Sequence, residues 1–194
     1  WLDDHSAGNQ SYLPPVKYDA RFGVMYRRDR GLSGWEDVDI TSSFKAIFDF
    51  ESVEIGWAKL GAGKPPSWVL MPWRPNVYLS DFPPRPDAEH KSAFRLTLKL
   101  SKDCGGDIRE FGGTSQALRL GFDVVHDQYL AEAASNPGKL PVIIREKTEL
   151  VVTKNPKGSS TNHKPVFKIV SWVPRPADLV LKQTPAPAPA QATR

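Results

Sequence analysis

Residues 93–101 read Ala-Phe-Arg-Leu-Thr-Leu-Lys-Leu-Ser, with Phe94, Leu96, Leu98 and Leu100 at alternate positions and Arg95, Thr97 and Lys99 between them. A period of two belongs to a half-buried strand, one face toward a core and the other toward water. The same alternation runs through residues 17–27 in Tyr18, Ala20, Phe22, Val24 and Tyr26. A chain holding both stretches must build much of its core from a sheet. Less regular strand patterns occupy 35–40, 45–50 and 52–60, a mostly apolar run at 68–73 lies between Pro66 and Pro75, and a short strand fits 107–111. Pro75, Pro83, Pro84 and Pro86 deny residues 74–91 both a helix and a central strand, so a long loop is expected there.

One helix is expected. Thr114 or Ser115 can cap it, and Leu118, Phe122, Val125, Tyr129 and Ala133 form the stripe of an amphipathic helix that reaches about Ser135 before Asn136-Pro137-Gly138 stops it. Two strands at 140–153 and 165–173 follow, joined by an eleven-residue tip, 154–164. Residues 1–16 read as an N-terminal arm, 17–182 as a single β-rich domain, and 183–194, rich in alternating proline and alanine, as an extended tail. The order of strands, one helix and a hairpin predicts a mostly β fold. Its expected form is an OB-like β-barrel with the helix before a long C-terminal hairpin, elaborated by extra strands and loops.

Composition narrows the setting. With 40% hydrophobic and 25% charged residues the chain is neither disordered nor fibrous. No apolar run reaches the roughly 18 residues of a membrane helix, so no membrane partner is expected. The single cysteine, Cys104, excludes an internal disulfide and fits a reducing, cytoplasmic location. The net charge of +4 is uneven: residues 136–194 carry 10 basic and 3 acidic side chains, whereas residues 1–60 carry 7 and 10. A basic C-terminal third favours polyanions.

Catalytic patterns are thin. Gly61-Ala62-Gly63-Lys64 resembles the end of a phosphate loop but has Ala58 and Pro65 where that loop requires Gly and Ser or Thr. Asp87-Ala88-Glu89-His90 gathers carboxylates and an imidazole, yet His5, His126 and His163 are scattered; His126 fits a structural position, and Cys104 has no evident activating neighbour. No nucleophile stands beside a base. The expectation is a non-enzymatic protein without cofactor or metal.

Cations interleave with aromatics instead: Tyr26-Arg27-Arg28 with Arg30, Trp57 with Lys59, Trp73-Arg74, Phe94-Arg95 with Lys99, and Trp172 with Arg175. Trp57 and Trp172 fit a core as well as a binding platform. Lysine and arginine neutralise phosphates while aromatic faces stack on exposed bases, the chemistry of single-strand binding. The hairpin tip adds Lys154, Lys157 and Lys164 among Gly158, Ser159, Ser160 and Thr161, with no acid. The expected contact set is Tyr26, Arg27, Arg28, Arg30, Trp73, Arg74, Arg95, Lys99, Lys154, Lys157 and Lys164, with Tyr26 and Trp73 as stacking platforms.

The strand, helix and long-hairpin order over residues 17–176, Lys139-Leu140-Pro141-Val142 before the penultimate strand, and the closing Pro165-Val166-Phe167-Lys168-Ile169-Val170-Ser171-Trp172-Val173 resemble the phage and prophage single-stranded-DNA-binding proteins built on an OB-fold. That resemblance implies a non-enzymatic coat for single strands in phage-type replication or recombination, inside a bacterial host cell. Such proteins often end in an acidic tail, whereas this chain ends in Pro-Ala repeats and Arg194. The implied partner is single-stranded nucleic acid, DNA in the first place, with a second copy of the chain also admissible. Two other readings fit the sequence: a structural or assembly protein of a phage particle, and a carbohydrate- or peptide-binding β module.

Overall fold

A computed structural model describes residues 13–61 and 63–180. Nine strands and one α-helix follow in the order β1 (Pro15–Asp19), β2 (Val24–Gly31), β3 (Gly34–Asp39), β4 (Lys45–Lys59), β5 (Ser67–Pro72), β6 (Lys91–Leu100), β7 (Ile108–Gly113), α1 (Gln116–Glu132), β8 (Lys139–Asn155) and β9 (Gly158–Pro174). The fold is mostly β. None of its described helices is long and apolar enough to cross a membrane. The tail at 183–194 and residues 1–12 of the arm lie outside the described residues, but the end of the arm is ordered: Val16 is 1% exposed and β1 pairs in parallel with β7.

The strands form one sheet in the order β3-β2-β1-β7-β6-β4-β8-β9, with β5 added to β4. Long β4 serves three neighbours. Its ladder with β6 is interrupted between Asp49 and Glu54, its first residues pair with β8, and residues 54–59 pair with β5. The sheet is open, unlike the closed barrel expected from the element order. β1 occupies the β7 edge, and no ladder joins β9 to either β1 or β3. The gap beside β9 is bridged by two hydrogen bonds: the His163 N–H donates to the Ala20 carbonyl (2.7 Å), and Tyr18 Oη to the His163 carbonyl (2.8 Å).

Two further differences come from local chemistry. The alternation at 17–27 is not one strand, because the chain turns at 20–23. Gly23 takes φ 68 there, and the Phe22 ring, which the alternation assigned inward, is 70% exposed. The eleven-residue tip is also absent. Strands β8 and β9 continue their ladder to Asn155 and Gly158, leaving only Pro156 and Lys157 in the turn. Hydroxyl and amide side chains replace apolar contacts along it, with Asn162 Nδ2 donating to Thr153 Oγ1 (2.6 Å) and to Ser160 Oγ (2.9 Å).

The core follows from alternation. Phe94, Leu96, Leu98 and Leu100 are each at most 3% exposed and join Phe48, Phe111, Phe122, Val125, Ile143 and Phe167. Aromatic rings pack edge to face and offset, including Phe94 on Phe122 at 4.0 Å and Phe48 on Phe111 at 5.7 Å. Helix α1 closes this core with Leu118, Phe122 and Val125, and the Ser115 hydroxyl caps it by accepting from the Leu118 N–H. Gly121 lets α1 approach β9, since a Cβ there would lie 2.3 Å from the Pro165 carbonyl oxygen. Cys104 is buried, its thiol donating to the Ser43 carbonyl.

Candidate nucleic-acid interface

Because Phe94 and its alternate neighbours face the core, Lys91, Arg95 and Lys99 face the other side of the sheet. Register extends that outer face. Arg95 pairs with Glu54 on β4 and Gly112 on β7, while Ala58 of β4 lies between Lys91 and Trp68 of β5. Beyond β7, the cross-strand pairs Lys17–Tyr26, Arg28–Asp37 and Arg30–Trp35 continue it over β1, β2 and β3. One sheet face therefore carries Trp68, Lys91, Arg95, Lys99, Lys17, Tyr26, Arg28, Arg30 and Trp35.

Much of the positive charge on this face is answered by acids. Arg95 binds Glu54 at 2.8 Å and lies over the Trp68 ring at 5.2 Å, with Glu110 at 3.7 Å. Lys99 binds Asp178 at 2.6 Å, and that lysine holds the Asp178 carboxyl below its ordinary range. Arg28 binds Asp37 at 2.8 Å. Lys17 differs: its ammonium titrates below the usual lysine value, first because it is partly buried and second because Arg28 is near. Burial is also the main cause that raises the Tyr26 hydroxyl, followed by the Asp37 charge. Next along the face, Arg30 is exposed with no ion pair among the described residues, and Trp35 opposite it is 51% exposed.

The other expected contacts fall elsewhere. Arg27 pairs with core-facing Val16, so its guanidinium leaves the outer face, donates to the Cys104 carbonyl (2.6 Å) and lies 3.0 Å from Asp29. Trp73 packs against the core, edge-on to His126 at 4.6 Å, and is not an open platform. Exposed Arg74 donates to the Trp73 carbonyl. Lys154 and Lys157 are exposed at the end of the β8–β9 arm, whereas Lys164 sits within β9 bound to Glu149 at 2.8 Å. The aromatics that accompany these cations are partly spoken for as well: Trp57 donates to the Pro83 carbonyl beneath Arg85, and Trp172 stacks on Tyr129.

The sequence reading missed Lys17, Lys91, Trp35 and Trp68. Trp35 lies in a short acidic strand whose pattern does not mark it, and only pairing with β2 places it opposite Arg30. Among the described residues no group of three or more His, Cys, Asp or Glu is placed to hold a metal ion. No family model, curated protein or solved structure matches the chain.

Proposed function

We propose that the outer sheet face binds single-stranded nucleic acid, DNA in the first place, without reading sequence. The observation that carries this reading is the cluster at the β1–β2–β3 end, where Trp35 lies across from Arg30 and partly buried Tyr26 lies across from Lys17. Bases stack on the rings and phosphates meet the cations. Burial is the main cause that lowers the Lys17 value, followed by the Arg28 charge, with Asp37 opposing.

The order β4, β6, β7, α1, β8, β9, with β4 between β6 and β8, supports an OB-like core to which β1–β3 and β5 are additions. On that reading the β8–β9 turn is one of the two loops that bind nucleic acid in such barrels, and Lys154 and Lys157 extend the cationic path. The resemblance to phage single-strand binders implies a role in replication or recombination.

Titration with oligo-dT tests it. Tryptophan fluorescence should fall on binding, and log K should decline with log salt by about 0.7 per phosphate neutralised. A protein whose fluorescence and sedimentation are unchanged by oligo-dT at low salt has no such function.

A further inference from the structure

Asp87 and His90, in the loop before β6, line up with Ser67 at the start of β5. Asp87 Oδ1 accepts the backbone N–H groups of Glu89 (2.8 Å) and His90 (3.0 Å) and lies 2.8 Å from His90 Nδ1. His90 Nε2 lies 3.1 Å from the Ser67 hydroxyl. Arg85 holds the loop in this shape, donating to the carbonyls of His90 (2.7 Å) and Ala88 (2.6 Å). His90 is only 5% exposed, and both ring nitrogens are engaged, so the ring is held in place.

The protons follow from the acceptors. The His90 hydrogen bond is the largest influence holding the Asp87 carboxyl at about 2, so this group is ionised and can only accept. Nδ1 of a neutral His90 must therefore carry the hydrogen, which leaves Nε2 with a lone pair directed at Ser67. In that neutral form the hydroxyl donates to it. That is the arrangement of a serine nucleophile, its general base and the carboxylate that positions the base.

Exposed Ser67 begins β5 and lines a cleft of about 710 Å³ together with Lys59, Lys64, Lys91 and Glu89. Lys59 is paired with Glu89. Lys64 and Lys91 leave the cleft with a surplus of positive charge.

We propose that Ser67 is an acyl-accepting nucleophile, with His90 as its general base and Asp87 as the positioning residue, acting on an ester carried by an anionic molecule. Ser67 Oγ bonds to the acyl carbon as its proton passes to His90 Nε2. The carbon–oxygen bond to the alcohol breaks, and the leaving oxygen takes that proton. Water then attacks the acyl-serine with His90 again accepting a proton, and the carboxylic acid departs as Ser67 recovers its hydrogen.

The full chain is incubated with a fluorophosphonate probe and, separately, with 4-nitrophenyl acetate, and modified peptides are mapped by mass spectrometry. Both reagents should modify Ser67. Ser67→Ala, which removes only an exposed hydroxyl, should abolish labelling. His90→Gln and Asp87→Asn should slow it at least about 100-fold, with circular dichroism confirming that each variant is folded. An unlabelled Ser67 in the wild-type chain overturns the proposal. So does labelling that persists at equal rate in Ser67→Ala, or a Ser67→Ala variant that loses thermal stability while the wild-type serine stays inert, which would make the contact a fastening between β5 and the loop.

Discussion

The two ends of the outer sheet face carry similar residues in opposite circumstances. Over β4 and β6 the segment 175–180 lies across the face. Arg175 binds Asp49 at 2.8 Å and Glu51 at 2.9 Å, Lys99 binds Asp178, and Leu179 is 1% exposed. Over β2 and β3 no acid among the described residues forms an ion pair with Arg30, and Trp35 opposite it is 51% exposed. Cations and aromatics are present at both ends. Among the described residues Arg95 is held by Glu54 and Arg30 has no ion pair, and a guanidinium already held by a carboxylate offers a phosphate little net gain, because the original pair must first be broken.

The sharpest test sets Trp73, which packs against the core, beside Trp35, which lies on the outer face. Trp73→Ala should cost about 3 kcal/mol of stability in urea unfolding, as expected for a large ring removed from a packed site, and leave oligo-dT affinity unchanged at temperatures where the variant is folded. Arg175→Ala tests the fastened end. It strips the ion pair from Asp49, which is 0% exposed, and should cost roughly 2–3 kcal/mol; a variant of unchanged stability would show that this end is held by something else.

Trp35→Ala acts on the β2–β3 end. It should weaken oligo-dT binding by about 1–3 kcal/mol, the scale of one stacked base, while unfolding midpoints stay constant. Equal losses from Trp35→Ala and Trp73→Ala in affinity would erase the distinction. Arg30→Ala has a smaller effect, lowering the slope of log K against log salt by about 0.7.

Acid titration probes the interior beside Trp73. His126 is held below its ordinary value of 6.5, chiefly by burial, with the Asp127 charge opposing. It packs against Phe50, Phe122 and Tyr129. As pH falls below 6.5, the unfolded chain binds a proton before the folded one does, so stability declines from 6.5 down to the depressed folded value and is fully present above that window. His126→Phe should flatten this part of the stability curve, measured as urea midpoint against pH.

Much of the scaffold was legible in order along the chain. β6 and α1 were readable because each has a strong period and a dedicated core face, Phe94 to Leu100 in one and Leu118, Phe122 and Val125 in the other. The turn at 20–23 was not, since Phe22 continues an alternation that the backbone abandons. The outer half of the β8–β9 arm was hidden for the opposite reason. Its ladder is stitched by Thr153, Ser160 and Asn162, residues that also mark loops. The outer face was legible only in part: Tyr26, Arg28, Arg30, Arg95 and Lys99 were named from the sequence and lie on it, whereas the places of Lys17, Trp35 and Trp68 depend on which strands become neighbours.

Local periodicity by itself determined that this chain builds a sheet with one helix, because side-chain direction repeats every two residues in a strand and about every 3.6 in a helix whatever lies beyond. Only tertiary structure decided which charges meet. Lys99 with Asp178, Arg175 with Asp49 and Ser67 with His90 are separated by 79, 126 and 23 residues. Ionic and hydrogen-bonding contacts act over a few ångströms of space, and distance along a sequence does not record that proximity.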